Sequence, residues 1–309
     1  MRKEDQLGAG QGIFGIDLET SLQYAHVAIS LQDSSGNSFI YGYIPVVVAK
    51  CGVYLKEKAT DVEGIFRLSG SSKRINQLQK LFDSPPTFGK SFDWDGFNVH
   101  DAANVLRRYL NNLPEPIVPL AYYEAMRKPM HERPVDVSAA IAEYTKLINS
   151  LPPVNKQLLL YLLDLLAVFA SKSDINLMPA ANLAAIFQPC ILNHPQHEQS
   201  PDEYRISQDV LVFLVEHQDN FLIGMDADTN DLDILANPQR LFGQHERLSD
   251  SQSSTGHLSR SSTVSSKHST SSTHDDPLPL PEAHSEIPTI ELPSSSPIPH
   301  PELVSEDKE

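Results

Sequence analysis

The chain has 309 residues, enough for one or two domains with a sizeable core, and a formal charge of −16 from 24 basic and 40 acidic side chains. The acidity is uneven: from Asp226 onward 15 acidic residues face 5 basic ones, a net of −10, which leaves −6 for residues 1–225. Neither part has the basic excess of a nucleic-acid or anionic-membrane binder, so no such partner is expected.

The N-terminus carries charge (Arg2, Lys3, Glu4, Asp5) with no apolar stretch behind it, so no signal peptide is expected. Residues 1–12 are predicted to be disordered. Gly10-Gln11-Gly12-Ile13-Phe14-Gly15 matches G-x-G-x-x-G, but no strand precedes it and no βαβ pattern surrounds it, so it is read as a chance match. Phe14, Ile16, Leu18 and Leu22 instead predict a segment packed on the domain that follows. Residues 25–29 fit either a strand or a helix, residues 34–37 form a turn, and residues 41–44 lead into Pro45, which suits a helix start. Val48, Cys51 and Leu55 then recur at helical spacing as far as about Lys58. Gly52 and the β-branched Val46, Val47, Val48 and Val53 weaken that helix, so burial has to hold it.

Next comes a loop, Glu63-Gly64-Ile65-Phe66-Arg67-Leu68-Ser69-Gly70, which presents one arginine between two glycines. A guanidinium stays charged and is costly to bury unpaired. Gly64 and Gly70 allow a tight, projecting backbone, while Ile65 and Phe66 can anchor its base. The stretch reads as a pinned loop offering one fixed positive charge, a geometry suited to phosphate chemistry. Ser71 can cap a helix as far as Phe82, with Ile75, Leu78, Leu81 and Phe82 inward and Lys73, Arg74 and Lys80 outward. Residues 87–99 form a loop with the only tryptophan, Trp94.

Asp101 is predicted to cap a helix whose buried stripe is Val105, Leu106, Tyr109, Leu110 and Leu113, with Arg107 and Arg108 outside it. Pro114 ends that helix. Further helices are expected at 119–132, 136–150, 154–172, 179–187 and 207–222. The one at 154–172 is apolar around most of its circumference, the mark of a central bundle helix. The most apolar run, residues 158–170, is short for a bilayer and contains Asp164. Cys51 and Cys190 are far apart in apolar surroundings and read as reduced, buried thiols of a soluble cytoplasmic protein. The prediction is an all-α domain over residues 13–225. Residues 226–309 are acidic, then Ser/Thr-rich, then Pro-rich, and are expected to be a disordered tail. Within it Ser249 after Arg247, and Ser262 after Arg260, are candidate kinase sites.

Several chemistries are missing. No G-x-x-x-x-G-K-[ST] cradles a triphosphate, no C-x-x-C or H-E-x-x-H gives metal spacing, and no G-x-S-x-G marks an esterase nucleophile. No cofactor or metal is expected. These absences point to a protein that completes another protein's active site.

Three separated motifs resemble one family. Gly64-Ile65-Phe66-Arg67-Leu68-Ser69-Gly70 is similar to the arginine-finger loop of the RhoGAP domain, the GTPase-activating domain for Rho-family small GTPases. Leu106-Arg107-Arg108-Tyr109-Leu110 with Leu113-Pro114-Glu115-Pro116 resembles its second signature. Leu151-Pro152 with Asn155, then Asn176-Leu177-Met178 and residues 182–189, resembles the third. Gly12 to Ile16 and Ile44 to Cys51 look more particularly like fungal members acting on the Rho subgroup, with roles in actin and cell-wall regulation at the cell cortex. The resemblance implies a single RhoGAP-like helical bundle and a GTP-bound Rho-family GTPase as partner. It makes Arg67 the catalytic finger, supported by Gly64, Phe66, Ser69 and Gly70, and makes the chain an enzyme activator rather than an enzyme. Arg107 stands where the family usually has lysine on the GTPase-facing surface. Asn111 stands where many members have a second arginine, with Arg108 as a substitute, and Asn182 matches an asparagine of the same face. The competing reading is a non-catalytic GTPase-binding module of the same fold.

Overall fold

The computed structural model describes residues 11–32, 38–131, 135–197, 200–222 and 289–291. Its centre is an 18-residue helix, α7 (Pro153–Ala170), started by Pro152 and Pro153. That helix is long and apolar enough to cross a membrane by length and composition. Here, however, Leu158 to Leu163, Leu165, Leu166 and Phe169 are all buried in the bundle. Its one acid, Asp164, pairs with Lys56 of α2 (Val46–Lys58).

Alpha2 lies close to α7 because Gly52 has no side chain. A Cβ there would overlap the hydroxyl of Tyr161. Val46, Val47 and Val48 are fully buried, so packing offsets their weak helical preference as the sequence demanded. Around this pair stand α1 (Leu18–Leu22), α3 (Ser72–Phe82), α4 (Val99–Asn111), α5 (Tyr123–His131), α6 (Val137–Ser150), α8 (Ser173–Asn176), α9 (Ala180–Ile191), α10 (Pro201–Glu216) and α11 (Asp219–Leu222). Alpha9 runs through Pro189, which cannot donate to the carbonyl of Ala185; the Tyr204 hydroxyl donates to it instead, at 3.3 Å. Both cysteines are free and buried as expected; burial pushes the Cys190 thiol up to about 12, and the Cys51 thiol up as well.

The expected helical class holds, with an addition. Strands β1 (His26–Gln32) and β2 (Ser38–Pro45) form an antiparallel hairpin, and β3 (Thr289–Glu291) pairs parallel with β1, giving the order β2-β1-β3. Val27, Ala28 and Ile29 are all buried, as are Gly42, Tyr43 and Ile44, so both faces are covered and no polar alternation shows in the sequence. Gln157 fixes the hairpin to α7: its Oε1 accepts from the Tyr43 amide at 3.0 Å, and Gly42 makes room for its stem.

Two capping expectations are corrected. Asn98, not Asp101, is the N-cap of α4, and Asp101 is the third residue of a reciprocal capping box. Ser71 sits at the N-cap of α3 but makes no side-chain cap bond; its amide donates to Asp101 Oδ1 at 2.8 Å. The G-x-G-x-x-G turn holds a carboxylate of the chain itself, since the Ile13 and Phe14 amides donate to Asp83 Oδ1 at 2.5 and 3.0 Å. The disorder expected for residues 1–12 and 226–309 falls outside the described residues, except that residues 11 and 12 are placed and Thr289–Glu291 forms β3.

Candidate functional site

The loop between α2 and α3 passes from buried residues to exposed ones at Arg67. Ile65 and Phe66 are fully buried; Arg67, Leu68 and Ser69 are exposed. The Phe66 ring lies edge-on to Phe169 of α7 and Phe187 of α9, with centroids 4.9 and 5.2 Å away. It thus anchors the loop to the centre of the bundle. The backbone reverses sharply here. Gly64 and Phe66 both have φ of +66°, free for glycine but costly for phenylalanine. The strain is held by hydrogen bonds: Arg67 and Leu68 amides donate to the Gly64 carbonyl at 3.0 and 2.9 Å, and the Gly64 amide donates to the Asn176 carbonyl at 2.8 Å.

Alpha4 supplies the rest of the scaffold through one polar stripe. Asp101, Asn104 and Arg107, three residues apart, face the loop in turn. Arg107 Nη1 donates to the Phe66 carbonyl at 2.9 Å, Asn104 Nδ2 donates to the Leu68 carbonyl at 3.0 Å, and Asp101 accepts the Ser71 amide. Asp101 is fully buried and takes Arg74 Nε at 2.5 Å as well. Burial alone would raise its carboxyl pKa; the hydrogen bonds from Arg74 and the Asn98 and Ser71 amides outweigh this and hold it below the ordinary value. Gly70 is required where it is, because a Cβ would lie 2.8 Å from the Asp101 amide nitrogen.

The sequence-predicted residues therefore separate. The Arg67 side chain is exposed and its guanidinium has no hydrogen-bond or ion-pair partner among the described residues; it lies back over the loop, with Nη2 beside Gly64. Arg107 lies under the loop, half-buried; burial pushes its guanidinium pKa down, though it stays charged. Arg108 is tied to α3 through Asn76 and Gln79, at 2.7 and 2.9 Å. Asn111 is exposed one turn beyond Arg107, with Nδ2 on the Arg107 carbonyl at 2.9 Å. Asn182 is exposed at the start of α9, and its Nδ2 donates to the Leu177 carbonyl at 3.3 Å.

Sequence reasoning missed two supports. Asn104 shares a helix face with Asp101 and Arg107 by its spacing, but nothing local in the sequence ties that face to the loop. Asn176 is fully buried, donates to the Thr60 and Phe169 carbonyls at 2.9 and 2.8 Å, and accepts the Met178 amide at 2.8 Å. It joins the α7–α9 connection to the base of the loop, and only its place in a motif hinted at that.

The loop is thus pinned from three helices, with Arg67 exposed on it. The model of the RhoGAP domain matches residues 45–196, a span that contains the loop and its whole scaffold. Residues 45–196 belong to the RhoGAP domain family. The chain is 54% identical over 210 residues to Rho-GTPase-activating protein 5 of Schizosaccharomyces pombe, covering 68% of this chain and 58% of that protein. It is 46% identical over 214 residues to Rho-GTPase-activating protein BAG7 of Saccharomyces cerevisiae, covering 68% and 52%. The chain thus spans a little over half the length of these fungal relatives. Among solved structures, human Rho GTPase activating protein 15 superposes with a TM-score of 0.56 at 20% identity, over 72% of this chain and 99% of the other, a likeness of fold.

Proposed function

We propose that this RhoGAP domain accelerates GTP hydrolysis by a Rho-type small GTPase by inserting Arg67 into its nucleotide pocket. The observation that carries this is the free guanidinium on a rigid loop. A charge with no hydrogen-bond or ion-pair partner among the described residues, held on a strained backbone pinned through the Gly64, Arg67 and Leu68 amides, is pre-organised for a partner elsewhere. The GTPase supplies the water and the nucleotide; Arg67 supplies the positive charge that offsets negative charge developing on the transferring phosphoryl group, an effect of about 10³–10⁵ in rate for such fingers. Its planar fork suits phosphate oxygens better than a lysine would. Arg107 acts one step behind, holding the Phe66 carbonyl and so the direction of the next residue, while Asn111 and Asn182 remain exposed for direct contact with the GTP-bound partner.

Single-turnover hydrolysis by a GTP-loaded Rho-type GTPase tests this, with the wild type and Arg67→Ala. Strong acceleration by the wild type, lost in the variant while affinity for the GTP form is kept, is the expected result. Binding without acceleration across several Rho-type GTPases would instead identify a non-catalytic module. Equal acceleration by both proteins would place the charge on another residue.

A further inference from the structure

Next to the free arginine lies an apolar surface that the finger mechanism does not use. Leu68 is 47% exposed, Ile175 59% and Leu177 47%, against a core in which almost every large apolar side chain is covered. Leu68 and the 175–177 segment are joined through Gly64. The Leu68 side chain lies over Gly64, and the Gly64 amide is bonded to the carbonyl of Asn176, the residue between Ile175 and Leu177. The three exposed side chains therefore flank one backbone junction, which begins at the residue after Arg67.

Leu177 is held there at a cost. It caps α8 in the left-handed region, with φ +58° and ψ +29°. Glycine or asparagine takes that position cheaply; a leucine there is strained, and about half of its side chain is still left exposed. The buried Asn176 network fixes this conformation on both sides. A strained backbone that exposes an apolar side chain beside the free arginine is explained by a partner that covers it.

We infer that Leu68, Ile175 and Leu177 form an apolar docking face for the GTP-bound GTPase, seating on an aliphatic or aromatic segment at the rim of its phosphate pocket. This rests on the reading of Arg67 as a finger, because continuity with Arg67 is what names the occupant: whatever receives the guanidinium meets these side chains at the same moment. The patch supplies affinity through desolvation, and the arginine supplies rate. Leu177 is then a positioning and selectivity residue, favouring GTPases whose rim is apolar at that point.

The test is a titration of the full chain in single-turnover hydrolysis, separating half-saturating concentration from maximal rate. Leu177→Asn removes the apolar surface and suits the left-handed backbone, so its thermal melting point should not fall. It is expected to raise the half-saturating concentration about tenfold, the worth of one buried leucine, with maximal rate within about twofold. Adding Ile175→Ser should raise it further. Val137→Ser, which changes an equally exposed apolar residue on α6, should change nothing. A Leu177→Asn protein that titrates like the wild type, or that loses maximal rate instead of affinity, overturns the inference. So does a result in which it only dissolves self-association in sedimentation, since the occupant would then be a second copy. Equilibrium binding to the GTPase loaded with a non-hydrolysable GTP analogue separates the two readings. If the wild type binds without accelerating, the finger reading fails, and a weaker Leu177→Asn complex still supports the patch.

Discussion

Two arginines sit in opposite circumstances. Arg67 is at the tip of the α2–α3 loop without a partner among the described residues. Arg127, on α5, is 1% exposed and is surrounded: Nη2 pairs with Glu203 of α10, Nη1 lies 3.5 Å from Glu124 and from His197 Nδ1, and its guanidinium carbon is 4.9 Å from the Tyr123 ring centre. Tyr123 continues the network to Ser207 at 3.2 Å. The same side chain is structural where neighbouring acids answer its charge and available for function where the fold leaves that charge unanswered. The comparison also shows where rigidity is spent. Around Arg127 the charge itself is held; around Arg67 the backbone is held and the charge left free.

If this contrast is right, the two residues fail differently. Arg67→Ala should lower the acceleration of hydrolysis by about 10³-fold or more with thermal stability unchanged. Arg127→Ala should do the reverse, costing about 3 kcal/mol in urea unfolding by opening the α5–α10 contact, while the protein that remains folded keeps its maximal rate. A loss of stability in the first or of catalytic rate in the second would break the comparison.

Arg107 sharpens it, because it stands between the two states: charged and half-buried, yet aimed at a carbonyl rather than at an acid. Arg107→Met removes the donor from the Phe66 carbonyl and frees a backbone with positive φ. Maximal hydrolysis should fall about tenfold, about the worth of one hydrogen bond to a charged group. Arg107→Lys should recover part of it, since a lysine can reach the same carbonyl as a single donor. A change confined to half-saturating concentration would mean instead that Arg107 touches the GTPase directly.

Much of this was legible in the sequence, and the exceptions have physical causes. Helices with one apolar face, such as α3 and α4, could be read from their spacing, and α7 from an apolar surface around most of its circumference. The β1–β2 hairpin could be read only in part: residues 25–29 fitted a strand or a helix alike, because Val27, Ala28 and Ile29 are all buried and show no alternation. Arg67 was visible because its constraints are local: two glycines, two apolar anchors and a charge within eight residues. Its scaffold was not. Asn104 meets the loop 36 residues away and Asn176 meets Thr60 116 residues away, so only folding brings them together. Arg107 shows the limit most plainly, since its motif named the residue but not the direction its side chain takes.

The smallest expected effect concerns Asp101, the acid that ties both ends of the scaffold. Its folded pKa lies below the ordinary value, near 3.9 in an unfolded chain, so it contributes stability that is present above about pH 4 and is lost as pH falls through the folded value. Asp101→Asn keeps the size and one acceptor but gives up the charge opposite Arg74. At neutral pH it should cost about 1–2 kcal/mol, the scale of a lost cap and charged hydrogen bond. The gap between wild-type and variant melting points should then narrow from pH 5 to pH 3, as the wild-type carboxyl protonates. Arg74 is more than a third exposed, so solvent screening limits the ion pair itself, and most of the loss should come from the Ser71 and Asn98 amides. A gap that stayed constant with pH would show that the Asp101 charge contributes nothing and that geometry alone holds the loop. A gap that widened in acid would mean that burial, not its donors, governs the carboxyl.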